Sequence, residues 1–375
     1  MSSEASERSP DSMFEVSGRW TARAALALLL VVFGCRLWML ACAGSDLPEW
    51  DEWWVDFERV VGPVSDDSFH MSNLARMHEG NRHFLHRVVT LAVLKLSGRW
   101  EPASILVVSA LARSLGLMTV FVLLARHQPR RVAASLLVLT TLIGALPTLP
   151  LSVLSASQLH VFFAEPLALL SLFLLCEGPL TAWRFTGGVS LLLAALLNAG
   201  SAWIAASASV LVLLLKSRRE RAGLSRPVPV LASLGVLTLF MFLTAPPDPS
   251  RVGPSFTAFV TVVARLLSWP FPSIPLLAIP ALLPSILLVR RVLRESEPGE
   301  RSWFLLAASL LSLGQVLAVA FETGRVGTAA MTIRADGLWF GQLIGFAALA
   351  EALRPAVGES PRLRSRVSLA FAVWL

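Results

Sequence analysis

Apolar residues recur along this chain in runs of bilayer-spanning length, parted by short polar stretches rich in arginine. The runs predict helical spans near 22–43, 103–125, 132–151, 159–176, 185–200, 202–216, 228–246, 272–289, 303–321 and 338–353, with the break at residue 200 drawn on the thinnest hydropathy signal. No stretch alternates with the period of a strand, which excludes a transmembrane barrel. The pattern therefore predicts an all-α, polytopic helical membrane protein with about 10–11 transmembrane helices and an external first loop carrying amphipathic interfacial helices. A disordered cytoplasmic tail, 1–21, is expected before a single transmembrane domain, 22–375. The first run holds Arg36 and Trp38, is longer than a signal-peptide core and lacks a small-x-small cleavage site, so it reads as a retained span. The ending RSRVSLAFAVWL is too short to cross and reads as the start of a further span or a short tail.

Composition agrees with that class: of 375 residues 55% are hydrophobic and only 15% charged, and the mean hydropathy is +0.67. A water-soluble globule would need several wholly apolar helices packed in one core at that low charge, which the composition argues against. The net charge of +7 is concentrated in clusters: Arg126, Arg130 and Arg131; Lys216 to Arg226; Arg290, Arg291 and Arg294; Arg354 to Arg366. Counting the ten spans puts every cluster on the side of the N-terminus, and the positive-inside rule makes that side cytoplasmic. The excess charge is thereby explained by topology and anionic lipid, with no nucleic-acid partner implied. Segments 44–102, 152–158, 247–271 and 322–337 fall on the external side and carry the candidate chemistry. Cys35, Cys42 and Cys176 lie in or at the ends of spans and form no disulfide framework.

The external stretch DLPEWDEWWVDFE packs six carboxylates and three tryptophans into thirteen residues. On a helix starting after Pro48, Trp50, Trp53, Trp54, Phe57, Val60 and Val61 make one stripe, the signature of a helix lying in the membrane interface. The same projection sets Asp51 beside Glu58 on one flank and turns Glu52 and Arg59 from the lipid, so the acids are expected in water. Two roles stand open for them: solvation of an anchor, or a carboxylate held at the surface for chemistry. Farther on, Leu85, Val88, Val89, Ala92 and Leu96 form an apolar face, while His83, His86, Arg87 and Thr90 gather on another. Four of the six histidines, His70, His78, His83 and His86, lie in this segment, and a divalent metal is compatible with such donors although no tight metal spacing is present.

Later, FETGRVGTAAMTIRADGLW offers Arg325 and Arg334 with Gly324 and Gly327 nearby, suited either to a phosphate or to lipid headgroups. Arg251 and Arg265 are weaker candidates of the same kind. Glu165 sits inside a span, where an ionisable group implies either function or a partner on another helix. Asn198 and Gln315 read as interhelical hydrogen bonds rather than site residues.

LPEWDEWW after the first span, HFLHRVVTLAVLKLSGRWEP before the second and GRVGTAAMTIRADGLW late in the chain resemble, in the same order, motifs of a group of bacterial multi-pass proteins. That group is similar to the C-type glycosyltransferase superfamily. Two positions depart from the pattern: Leu85 stands where the group has glutamate, and the tyrosine expected after Arg334 is replaced by Ala335 in a chain with no tyrosine. The resemblance implies a transferase in the bacterial cytoplasmic membrane that moves a sugar from a polyprenyl-phosphate donor to a glycan or lipid acceptor outside the cytoplasm. It implies Asp51, with Glu52 beside it, as general base or metal ligand, and His86, Arg87, Arg325 and Arg334 as substrate-binding groups. A flippase for lipid-linked glycans and a noncatalytic subunit of envelope polysaccharide assembly are the alternatives, the second favoured by the two departures.

Overall fold

A computed structural model describes residues 18–45, 47–48, 50–78, 81–146, 155–219, 254–269, 271–295, 300–326 and 335–353, with isolated positions between 228 and 236. The described residues are helical and contain no strand. Among the described residues six helical stretches are long and apolar enough to cross a membrane, and the protein is a multi-pass membrane protein. They include α1 (Gly18–Ala43), α4 (Pro102–Ala125), α6 (Leu159–Cys176), α8 (Trp203–Arg219), α10 (Ala278–Arg294) and α11 (Glu300–Val326). Shorter helices complete the bundle: α5 (Arg130–Ala145), α7 (Ala182–Leu196), α9 (Phe256–Leu267) and α12 (Ala335–Ala352).

Backbone hydrogen bonds must be met within each span in an apolar solvent, and small residues then decide how closely spans approach. At Gly144 on α5 a Cβ would lie 2.7 Å from Val32 of α1 and 2.8 Å from Leu117 of α4, so only glycine permits that three-helix contact. The same close approach frees the Gly144 carbonyl to accept from Arg36 Nε at 3.2 Å, which satisfies a cation buried within α1. Arg113 on α4 is treated similarly. Its guanidinium lies between the rings of Phe162 and Phe340, 5.0 Å from each, and 4.0 Å from Glu165 of α6. Of the two roles open to Glu165, the pair with another helix is the one the fold displays.

The predicted break at 200 is real: α7 and α8 are parted by a tight turn, Gly200–Ala202. One expectation fails in an informative way. The loop foreseen over 247–271 contains α9, packed against α11 through Val262, Leu266 and Val316. At twelve residues α9 is too short to give a span signal. The expected span over 228–246 falls largely outside the described residues, as does the ending after residue 353.

The two ends of the bundle differ in chemistry. At one end Arg301 reaches the Leu124 carbonyl and Glu351, Lys216 reaches the Gly178 carbonyl, and Arg126 and Arg184 flank the Phe173 ring. The clusters at Arg126, Lys216 and Arg291 thus share an end, as the charge pattern requires. At the other end lies the segment between α1 and α4.

Candidate functional site

This segment forms two helices. The first, α2, begins at Trp50–Glu52, widens to a π-type helix over Trp53–Val61 and closes at Gly62–Ser65; the second is α3 (Phe84–Ser97). Both are amphipathic inside out. On α2, Trp53, Trp54 and Phe57 are exposed while Glu52, Val55, Asp56, Val60 and Val61 are buried. On α3, Val88 and Leu96 are exposed while His86, Arg87 and Thr90 are fully buried. The expectation that the acids of α2 are displayed to water holds for Asp51 and Glu58 but fails for Glu52, which is only 2% exposed, and for Asp56, which is fully buried. The reason is that such a helix meets three surroundings, and a projection into apolar and polar faces cannot tell water from a polar protein interior.

The buried polar faces meet each other. Asp56 Oδ1 accepts from His86 Nε2 at 2.8 Å and from Thr90 Oγ1 at 2.7 Å, joining α2 to α3. Glu52 accepts from the Ala156 backbone N–H at 2.8 Å, which fixes α2 to the chain just ahead of α6. Outside these contacts Trp53, Phe57 and Trp100 stack edge to face or tilted, with centroids 5.3 to 5.8 Å apart.

Arg87 is the hub. Its Nε donates to the Val55 carbonyl at 3.3 Å, and Nη1 lies against the carbonyls of Asn73, Leu74, Arg76 and Arg82. Burial, then the nearby Arg59, lowers its pKa to about 10, so it stays charged at neutral pH. The guanidinium expected to bind substrate is thus largely engaged by backbone.

A second junction lies at the start of α3. The N–H groups of His83, Phe84 and Leu85 reach the Asn198 carbonyl, the Leu197 carbonyl and Asn198 Oδ1 at 3.2, 3.1 and 2.9 Å, while Asn81 Oδ1 accepts from the Gly200 N–H. The turn between α7 and α8 thereby caps a helix far away in sequence, and Asn198 is a hydrogen-bonding tie, as expected. His83 adopts left-handed backbone at φ 53° and its ring lies 3.9 Å from that of His160 on α6 and 6.0 Å from those of His78 and His86.

The site therefore places Glu52, His86 and Arg87 in the buried contacts of one segment, leaves Asp51 exposed beside Glu52, and adds Asp56, Thr90, His78 and His160. Sequence reasoning passed over Asp56, although a polar face on α3 required a polar counterpart and Asp56 stands one helical turn from Glu52. Arg325 lies near the end of α11 with its side chain outside the described residues, and Arg334 is outside them altogether. Among the described residues no group of three or more His, Cys, Asp or Glu is placed to hold a metal ion. Comparison with family models, with curated proteins and with solved structures yields no match.

Proposed function

We propose that the protein is a membrane-embedded glycosyltransferase that takes a sugar from a polyprenyl-phosphate donor and delivers it to an acceptor hydroxyl outside the cytoplasm. The observation that carries the reading is the setting of Asp51: an exposed carboxylate whose neighbours Glu52 and Asp56 are buried and bonded, on a helix that shows tryptophan to the surface. A carboxylate so placed has little backbone freedom and stands where a lipid-borne phosphate sugar arrives. In the reaction Asp51 removes the proton of the acceptor hydroxyl as its oxygen bonds to the anomeric carbon. The bond from that carbon to the phosphate oxygen breaks, and the lipid phosphate leaves with the electron pair through an oxocarbenium-like transition state. The arginines kept for that departing charge are Arg325 and Arg334, since Arg87 is engaged within the segment. The arginine clusters at the opposite end support a bacterial cytoplasmic membrane location with the N-terminus inside.

A second reading has its own support. His86 and Arg87 are fully buried and bonded within the protein, which suits a noncatalytic subunit of envelope polysaccharide assembly whose external segment is a folded docking piece. Purified protein in lipid nanodiscs, given radiolabelled polyprenyl-phosphate sugars and a lipid acceptor, separates the two. Transfer by the native protein that Asp51→Asn abolishes, with the fold intact by circular dichroism, supports the enzyme. Absence of transfer by the native protein across a panel of donors refutes it and leaves the subunit.

A further inference from the structure

Four arginines gather in the α2–α3 segment, and the reaction above uses none of them. Around the Arg87 guanidinium stand the carbonyl of Val55, four residues before Arg59 on α2, and the carbonyls of Arg76 and Arg82. Arg82 turns back to the Ala75 carbonyl at 2.8 Å, and its side chain, like that of Arg87, is buried. The other two remain within reach of solvent: Arg59 is half-buried and Arg76 exposed. Arg59 approaches Glu58, its neighbour in sequence, only to 3.8 Å, which is beyond hydrogen-bond reach, while Asp56 is taken up by His86 and Thr90. Burial first, then Arg59 and, against the opposing Asp56, Arg76 hold the Arg87 pKa down at about 10. A guanidinium keeps its proton at neutral pH, so like charges held this close are relieved by an anion.

The surroundings select which anion. Trp53, Trp54 and Phe57 are exposed on the same helix as Arg59. Met71, which opens the turn Met71–Ala75 just before Arg76, is 72% exposed, and that turn packs against both α2 and α3. Exposed indoles beside arginine set a helix at headgroup depth in a bilayer, where the phosphate within reach belongs to a lipid. Two guanidinium forks offer paired N–H groups to paired oxygens. Their two charges match a phosphomonoester, at about −1.5 to −2 near neutral pH, better than a phosphodiester.

We propose that Arg59 and Arg76 form a binding site for the phosphomonoester head of a membrane lipid, with Arg87 as the fixed charge and scaffold that holds their backbones together. The site stands independently of sugar transfer, because it takes a lipid phosphate whether the protein is the enzyme or the subunit.

The test uses the full chain in phosphatidylcholine nanodiscs that carry a photoactivatable phosphatidate below saturation, with crosslinks mapped by mass spectrometry. Label is expected in peptides covering residues 53–78, and label near Arg126, Arg130 and Arg131 serves as internal reference. Losing one charge-assisted contact through Arg59→Gln or Arg76→Gln should lower the 53–78 label roughly 10- to 150-fold. Arg59→Lys, which keeps the charge without the fork, should lower it less. Unlabelled phosphatidate should displace the probe, phosphatidylglycerol should do so severalfold less well, and inorganic phosphate in the buffer should leave it in place. Absence of label over 53–78, or label unchanged in both glutamine variants, overturns the site. Equal competition by phosphatidylglycerol overturns the monoester assignment, and displacement by inorganic phosphate overturns the lipid. The Arg76 side chain is exposed, so its variant keeps the fold and decides the matter where Arg59→Gln disturbs α2.

Discussion

Replacing Arg87 by methionine tests whether this buried arginine is a ligand for substrate or the keystone of the α2–α3 segment. The carbonyls of Val55, Asn73, Leu74, Arg76 and Arg82 crowd around Nε and Nη1, which together offer three protons and so make three hydrogen bonds, some of them shared. At about 1.5–3 kcal/mol for each bond to a charged group, less the desolvation that the guanidinium no longer suffers, the loss comes to about 3–5 kcal/mol. That loss is local, because the carbonyls belong to α2, to the turn Met71–Ala75 and to the chain before α3. The opening equilibrium of the segment should therefore rise by roughly a hundred- to several-thousand-fold, with α6 unchanged. Hydrogen exchange of peptides spanning residues 50–97, with α6 peptides as internal reference, measures it. Lysine at 87 should rescue little, having one point charge where a fork is used. Exchange within about threefold of the native protein would refute the reasoning. Were it joined to loss of binding of a polyprenyl-phosphate probe, the ligand role would stand instead.

Two further outcomes follow from the buried polar contacts. Glu165→Ala leaves Arg113 buried between two phenylalanine rings without its carboxylate and should cost about 3–5 kcal/mol, whereas the Arg113→Met, Glu165→Met double variant recovers most of it. Thermal retention of the monodisperse species in detergent reports both, and a Glu165→Ala variant as stable as the native protein would contradict the pairing. Asn198→Ala removes the acceptor for the half-buried Leu85 N–H and should cost about 1–3 kcal/mol, seen as roughly 5- to 150-fold faster exchange at the start of α3. An unchanged rate there would mean that α3 is held by its packing alone.

The spans were legible because twenty apolar residues have few other fates, and the break at 200 because Asn198, Gly200 and Ser201 interrupt the run. The grouping of His86, Arg87 and Thr90 on one face was legible too, since helical spacing alone places them together. What they face was not. A polar stripe on a surface helix ordinarily means water, and only the tertiary fold turns that stripe toward Asp56 while leaving Val88 and Leu96 outside. Asp51 and Glu52 are neighbours in sequence and opposites in surroundings for the same reason. The roles assigned to Arg325 and Arg334 came from their residue type and loop position, which say nothing of what their side chains touch.

The ties between the α2–α3 segment and the bundle reach far ahead along the chain. Asn81 bonds to a residue 119 positions later, Leu85 to one 113 later and Glu52 to one 104 later. A ribosome adding about 5–20 residues per second makes those partners on the order of ten seconds after the segment itself. For that interval the carboxylate of Glu52 and the opening amides of α3 await partners still unsynthesised. The segment is made before residues 156, 198 and 200 exist to bond it, so a chaperone or protease that reaches it in that interval meets an open intermediate.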